Sequence, residues 1–107
     1  MNIKIYQINT DRDIDRSAFM GTWMLERRNR NRQIDFSIYD LVYEGNPDCV
    51  TLEDVFEMFN INHPKEYKGH SLSVSDIVKV VGNKEIEDEY YFCDSFGWKR
   101  LDENFNY

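Results

Sequence analysis

Apolar and polar positions alternate most regularly at the start of the chain. Ile3 and Ile5 fall on one side and Tyr6 and Ile8 on the other, which predicts a strand over Met1–Asn9. A strand with apolar side chains on both faces belongs inside a sheet rather than at an exposed edge. Thr10 to Asp15 is polar and turn-prone. Phe19, Met20, Trp23 and Met24 then form one stripe of a short helix over 17–26, weakened by Gly21 and Thr22. Imperfect alternation from Phe36 to Glu44 predicts a second strand, and Gly45-Asn-Pro-Asp48 a turn. Thr51 reads as a helix N-cap, with Glu53 and Asp54 in the first turn, where the helix dipole favours acids. Leu52, Val55, Phe56 and Phe59 follow at spacings of three and four, giving an amphipathic helix that ends near Asn60. On this reading Phe56 is a core residue, and Phe56→Ala is expected to cost about 3–5 kcal/mol.

The second half is organised around two stretches, 63–78 and 90–98. The first begins as a polar loop. Pro64 restricts His63, so the preceding helix must end by about Asn62. Ser71, Ser73 and Ser75 alternate with Leu72 and Val74 at period two, although Ser73, Ser75 and Asp76 also suit an irregular lead-in to a strand. Ile77, Val78, Val80 and Val81 are β-branched and fit a pleated surface. Gly82-Asn83 marks a turn, and Ile86–Cys93 is expected to be the return strand. Asp94 to Gly97 has Asp first and Gly fourth, the type I turn preference, and Trp98–Leu101 is predicted to add a short further strand. The expected fold is a single α+β domain over 1–107: a small, mostly antiparallel sheet of about five short strands with two helices packed on it.

The pieces HPKEYKGHSLSVSDIV (63–78) and YYFCDSFGWK (90–99), with IYQIN near the start and YDLVYEGNPDCVTLEDVFEMFN in the middle, resemble the YodL-like domain family of low-GC Gram-positive bacteria and their mobile elements. His70–Asp76 and Tyr91–Ser95 carry the resemblance most specifically. The family has no catalytic motif to carry over. The resemblance implies a compact α+β accessory domain, often associated with phages, plasmids or conjugative elements.

Composition narrows the function further. Net charge is −7, but residues 1–32 hold seven Lys/Arg against four acids, and residues 33–107 hold six against sixteen. An acidic body disfavours direct binding to nucleic acid and favours a basic partner surface. No apolar run reaches the length of a membrane span, and the N-terminus lacks a signal-peptide pattern, so the expected location is cytoplasmic. Cys49 and Cys93 show no C-x-x-C spacing and are expected to be reduced, packed thiols, with Cys93 inert. His63, His70, Cys49 and Cys93 lack the closely spaced ligand pairs of a zinc site, so no metal is expected. The glycines are scattered singly, and no nucleotide or other cofactor is implied.

Three groups are candidate partner contacts: the acidic cluster Glu85, Glu87, Asp88 and Glu89, the basic run Arg27, Arg28, Arg30 and Arg32, and the loop histidines His63 and His70. The favoured reading is a non-enzymatic interaction domain acting on a host or element-encoded protein. Its rival is an acidic mimic of nucleic acid that inhibits a defence nuclease or another DNA-binding enzyme. A small hydrolase built on Cys93, with Asp94 and His63 or His70, ranks last, because no spacing motif supports it.

Overall fold

The computed structural model describes residues 1–13, 36–65, 67–83, 85–95 and 97–101. The helix expected over 17–26 and the run Arg27, Arg28, Arg30 and Arg32 lie outside them. Among the described residues five strands form one sheet: β1 Ile3–Ile8, β2 Tyr39–Gly45, β3 Ile77–Val80, β4 Glu89–Asp94 and β5 Gly97–Leu101. Their order is β2-β1-β3-β4-β5, and every neighbouring pair is antiparallel. β1 therefore lies inside the sheet and β3 at its centre. One helix, α1 Leu52–Ile61, is found among the described residues, where the sequence predicts its second of two.

Each face of the sheet has its own apolar cluster. Ile3 and Ile5 on β1 share one with Val78 on β3, Leu72, Cys49 and the helix residues Val55 and Phe59. The opposite face gathers Tyr39, Ile77 and Phe92, with Tyr6, Phe36 and Tyr90 packed against them. Phe36 sits edge-on to Tyr6 at 4.7 Å between ring centres. Apolar side chains on both faces of β1 and β3 thus have separate destinations.

α1 starts where its sequence places it. Thr51 Oγ1 accepts from the Asp54 N–H at 3.1 Å, and Asp54 Oδ2 accepts from the Thr51 N–H at 3.1 Å, closing a capping box. The Val50 N–H and then the Thr51 N–H, both donating to Asp54 Oδ2, hold the Asp54 carboxyl below its usual range. No helix among the described residues is long and apolar enough to cross a membrane.

Four sequence expectations change. Phe56 is 42% exposed, whereas Val55 and Phe59 are fully buried. The line Leu52–Val55–Phe59 faces the sheet, and Phe56 sits roughly a quarter-turn off it. Phe36–Ile38 forms a 3-10 turn before β2 instead of its first residues. The period-two strand signal over 71–75 is not realised; the segment 71–76 is the irregular lead-in that Ser73, Ser75 and Asp76 also suit, and regular pairing begins only at Ile77. β4 begins at Glu89 rather than Ile86, which is exposed in the preceding loop.

Candidate functional site

The site is built from a four-residue turn, Ser73-Val-Ser-Asp76. The Asp76 N–H donates to the Ser73 carbonyl at 3.1 Å. Ser75 takes φ +85°, the value that the third position of a type II turn requires and that glycine usually supplies. Across the sheet, the Ser75 N–H donates to the Cys93 carbonyl at 2.9 Å, and the Cys93 N–H donates to the Asp76 carbonyl at 2.8 Å. Two residues thus oppose one, a β-bulge of the kind that normally carries glycine first. A side chain held in that region costs roughly 1–3 kcal/mol and persists only where its surroundings enforce it.

The enforcement comes from a buried amide. Gln7 points from β1 into the loop and is 3% exposed. Its Nε2, with two hydrogens shared among three acceptors, lies 2.9 Å from Asp76 Oδ2, 2.8 Å from Tyr67 Oη and 2.9 Å from the His70 carbonyl. Its Oε1 accepts from the His70 N–H at 3.1 Å. Asp76 Oδ2 also accepts from the Ser73 N–H at 2.8 Å. Tyr67 donates its hydroxyl to the His70 carbonyl, and Tyr39 donates to the Ser75 carbonyl at 2.6 Å. A Cβ at position 69 would overlap Gln7 Oε1, so Gly69 lets the loop close on the amide. No buried side-chain polar atom among the described residues lacks a partner, as a polar network inside a small core requires.

Burial raises the Asp76 carboxyl to about 6, against the opposing pull of the Ser73 N–H, Gln7 and His70. Burial also raises the Tyr67 phenol, with Asp76 adding to it. The Cys93 thiol is pushed up to about 12, first by burial, then by Asp76 and Asp94. At neutral pH Cys93 is therefore a thiol rather than a nucleophilic thiolate.

The bulge has a second consequence. It places Val74 beside a groove of about 350 Å³ between α1 and the β4–β5 hairpin. Among the described residues, Phe56 and Glu53 wall it from α1, Cys93 and Asp94 from β4, and Trp98 from β5. Asp94 pairs with Gly97 across the hairpin, and Gly97 takes φ +107°, a conformation that side chains resist.

A family model described as a YodL-like domain matches residues 2–105. The chain belongs to the YodL-like domain family. Neither a curated protein nor a solved structure matches it. In this YodL-like domain the two pieces that carry the resemblance most specifically meet: His70–Asp76 forms the braced loop, and Tyr91–Ser95 includes the groove wall opposite it.

Among the described residues, those singled out in the sequence are not gathered into one site. His70 belongs to the brace, with its Nδ1 2.7 Å from the Ser71 carbonyl and 3.2 Å from Gln7 Nε2. His63 stands edge-on to Tyr67 at 5.1 Å between ring centres. Cys49 lies at the foot of α1, its Sγ 3.9 Å from Met58 Sδ. Among the described residues no three of His, Cys, Asp or Glu cluster as metal ligands would.

The acidic cluster lies at the opposite end of β3. Asp88 accepts from the Gly82 N–H at 2.6 Å and pairs with Lys79 at 3.2 Å, which lowers its carboxyl. Glu89 pairs with Arg100 at 3.3 Å and accepts from the Tyr91 hydroxyl. Glu85 and Glu87 are exposed. Sequence reasoning missed Gln7 and Tyr67 in the brace and misplaced Phe56, which belongs to the groove. The available signals were one polar residue on the buried face of β1 and an aromatic at the flank of the helix stripe.

Proposed function

We propose that this YodL-like domain is a non-enzymatic protein-interaction module whose contact site is the groove between α1 and the β4–β5 hairpin. One observation carries this reading. Phe56, a large aromatic on an amphipathic helix, stands half out of the core beside Trp98 and Val74. An exposed aromatic beside a half-buried one at a concave site is what protein contacts use as an anchor. The thiol state of Cys93 agrees with a binding role for the groove rather than a nucleophilic one. The partner is a host or element-encoded protein in the bacterial cytoplasm, in keeping with the mobile-element setting that the resemblance implies.

A second reading places the contact at the acidic loop, as a mimic of nucleic-acid phosphates. The exposure of Glu85 and Glu87 favours it. Asp88 and Glu89 favour it less, because both are engaged with neighbouring cations.

Affinity capture from host lysate with three baits separates the readings: the parent, Phe56→Ser, and Glu85→Gln with Glu87→Gln. A protein held by the parent and the double variant but lost by Phe56→Ser supports the groove. The reverse pattern moves the contact to the acidic loop. Identical capture by all three contradicts both. Phe56→Ser is expected to fold, because its ring is already partly in water.

A further inference from the structure

We propose that the groove takes an arginine side chain presented by a basic segment of the partner. This rests on the reading of the domain as an interaction module and names what its contact site selects. Phe56 and Trp98 supply its aromatic lining, and Val74 adds apolar lining. Glu53 from α1 and Asp94 from the end of β4 are its acidic lining residues, and Asp94 Oδ1 also accepts from the Ser95 N–H at 2.8 Å. Glu53 has no hydrogen-bond or ionic partner among the described residues.

Aromatic faces beside carboxylates suit one class of group: a cation on an apolar stem. An arginine lays its methylenes along apolar surface and keeps its charged head at a polar rim. Its planar guanidinium stacks on aromatic rings and offers donors to carboxylates, which a lysine ammonium does less well. At about 350 Å³ the groove sits at the low end of ligand-pocket sizes, roughly 300–1,000 Å³, and suits one long side chain rather than a large ligand. The charge of the chain agrees. Residues 33–107 carry sixteen acids against six Lys/Arg, a field that draws a basic segment inward.

The test is an NMR titration of the whole chain with acetyl-Gly-Ser-Leu-Arg-Gly-Ser-amide. Its counterpart carries citrulline, which has nearly the same shape and no charge. The arginine peptide is expected to shift the Trp98 indole N–H and the Cys93 and Asp94 amides in a saturable way. The citrulline peptide should bind on the order of tenfold more weakly, as loss of a charge-assisted contact predicts. Glu53→Gln and Asp94→Asn, each confirmed as folded by its spectrum, should weaken the arginine peptide by a larger factor than the citrulline peptide, because only the first loses a charge-assisted contact.

Equal affinity for the two peptides would overturn the selectivity for a cation. Absence of groove shifts with either peptide would overturn the assignment of an arginine site. In both cases the capture result with Phe56→Ser decides the interaction reading separately.

Discussion

β3 is approached and left by two polar loops that differ in kind. Residues 67–76 are tied by buried side-chain bonds to Gln7 on β1, and they hold Ser75 in a strained backbone conformation. After Val81, whose N–H donates to the Asn2 carbonyl at 2.9 Å, the described residues 82–83 and 85–88 are closed by exposed local side-chain bonds: Asn83 Oδ1 accepts from the Glu85 and Ile86 N–H groups at 2.8 and 3.0 Å, and Asp88 Oδ1 from Gly82. Polar residues in the first loop specify a shape, and that shape sets one wall of the groove. Those in the second close a turn, and water competes for each bond. A polar loop therefore deserves functional weight where its side chains are desolvated and mutually satisfied, rather than where its charge is densest.

The largest expected effect breaks the first loop. Gln7→Leu keeps a side chain of similar size but removes the donor to Asp76 Oδ2 and the acceptor of the His70 N–H. Leaving buried polar groups unpaired costs about 1–3 kcal/mol each. A loss of roughly 2–4 kcal/mol is expected in urea denaturation, a large share of the stability of so small a domain.

pH should act on the same loop. The folded pKa of Asp76, about 6, lies above its ordinary value of 3.8. Between those values the folded state holds a proton that the unfolded state has lost, so this group's contribution to stability falls as pH rises through the window. Asp40, Asp54 and Asp88 act oppositely: their carboxyls are lowered, and their contribution is lost only as pH falls through and below the ordinary carboxylate value. Chemical denaturation of the parent should therefore show a stability gain on going from about pH 7 to about pH 5. Asp76→Asn should lose that portion of the slope. A parallel pH dependence in the two proteins would contradict the assignment.

Ser75 sharpens the comparison from the other direction. At φ +85°, Ser75→Gly removes backbone strain and is expected to raise stability by about 1 kcal/mol, while a β-branched Ser75→Val should lower it. Thermal melts of the two variants check both signs. The smallest effect belongs to the second loop. Glu85→Gln with Glu87→Gln should change stability by no more than about 0.5 kcal/mol, as exposed substitutions usually do. Asp88→Asn should be felt more than either, because it weakens the contacts to Gly82 and Lys79.

The legible parts of this fold were those specified by neighbours in sequence. The capping residues of α1 and its apolar spacing lie within one decapeptide, and β1 announces an interior strand in six residues. The brace was not legible, because Gln7 and Asp76 lie 69 positions apart and neither has an unusual local pattern. The strain at Ser75 was hidden for a related reason: serine does not advertise a positive φ as glycine does. Phe56 was misread because spacing identifies a stripe but not which residue lies at its centre. The groove followed Phe56 out of view, since its other walls come from β4, β5 and the bulge. The dense carboxylates at 85–89 drew attention through composition alone, and composition does not show that Asp88 and Glu89 already have partners.

Native-state hydrogen exchange tests the contrast between the loops most directly. The amides of Ser73, Ser75, Asp76 and Cys93, all donating within the braced turn or bulge, are predicted to exchange only through global unfolding. Their opening free energies should match the stability measured by denaturation. The amides of Gly82, Glu85 and Ile86 in the second loop should exchange through local opening, far faster. Fast exchange at Ser75 and Cys93, comparable to that at Glu85 and Ile86, would contradict a braced bulge and the groove wall that depends on it.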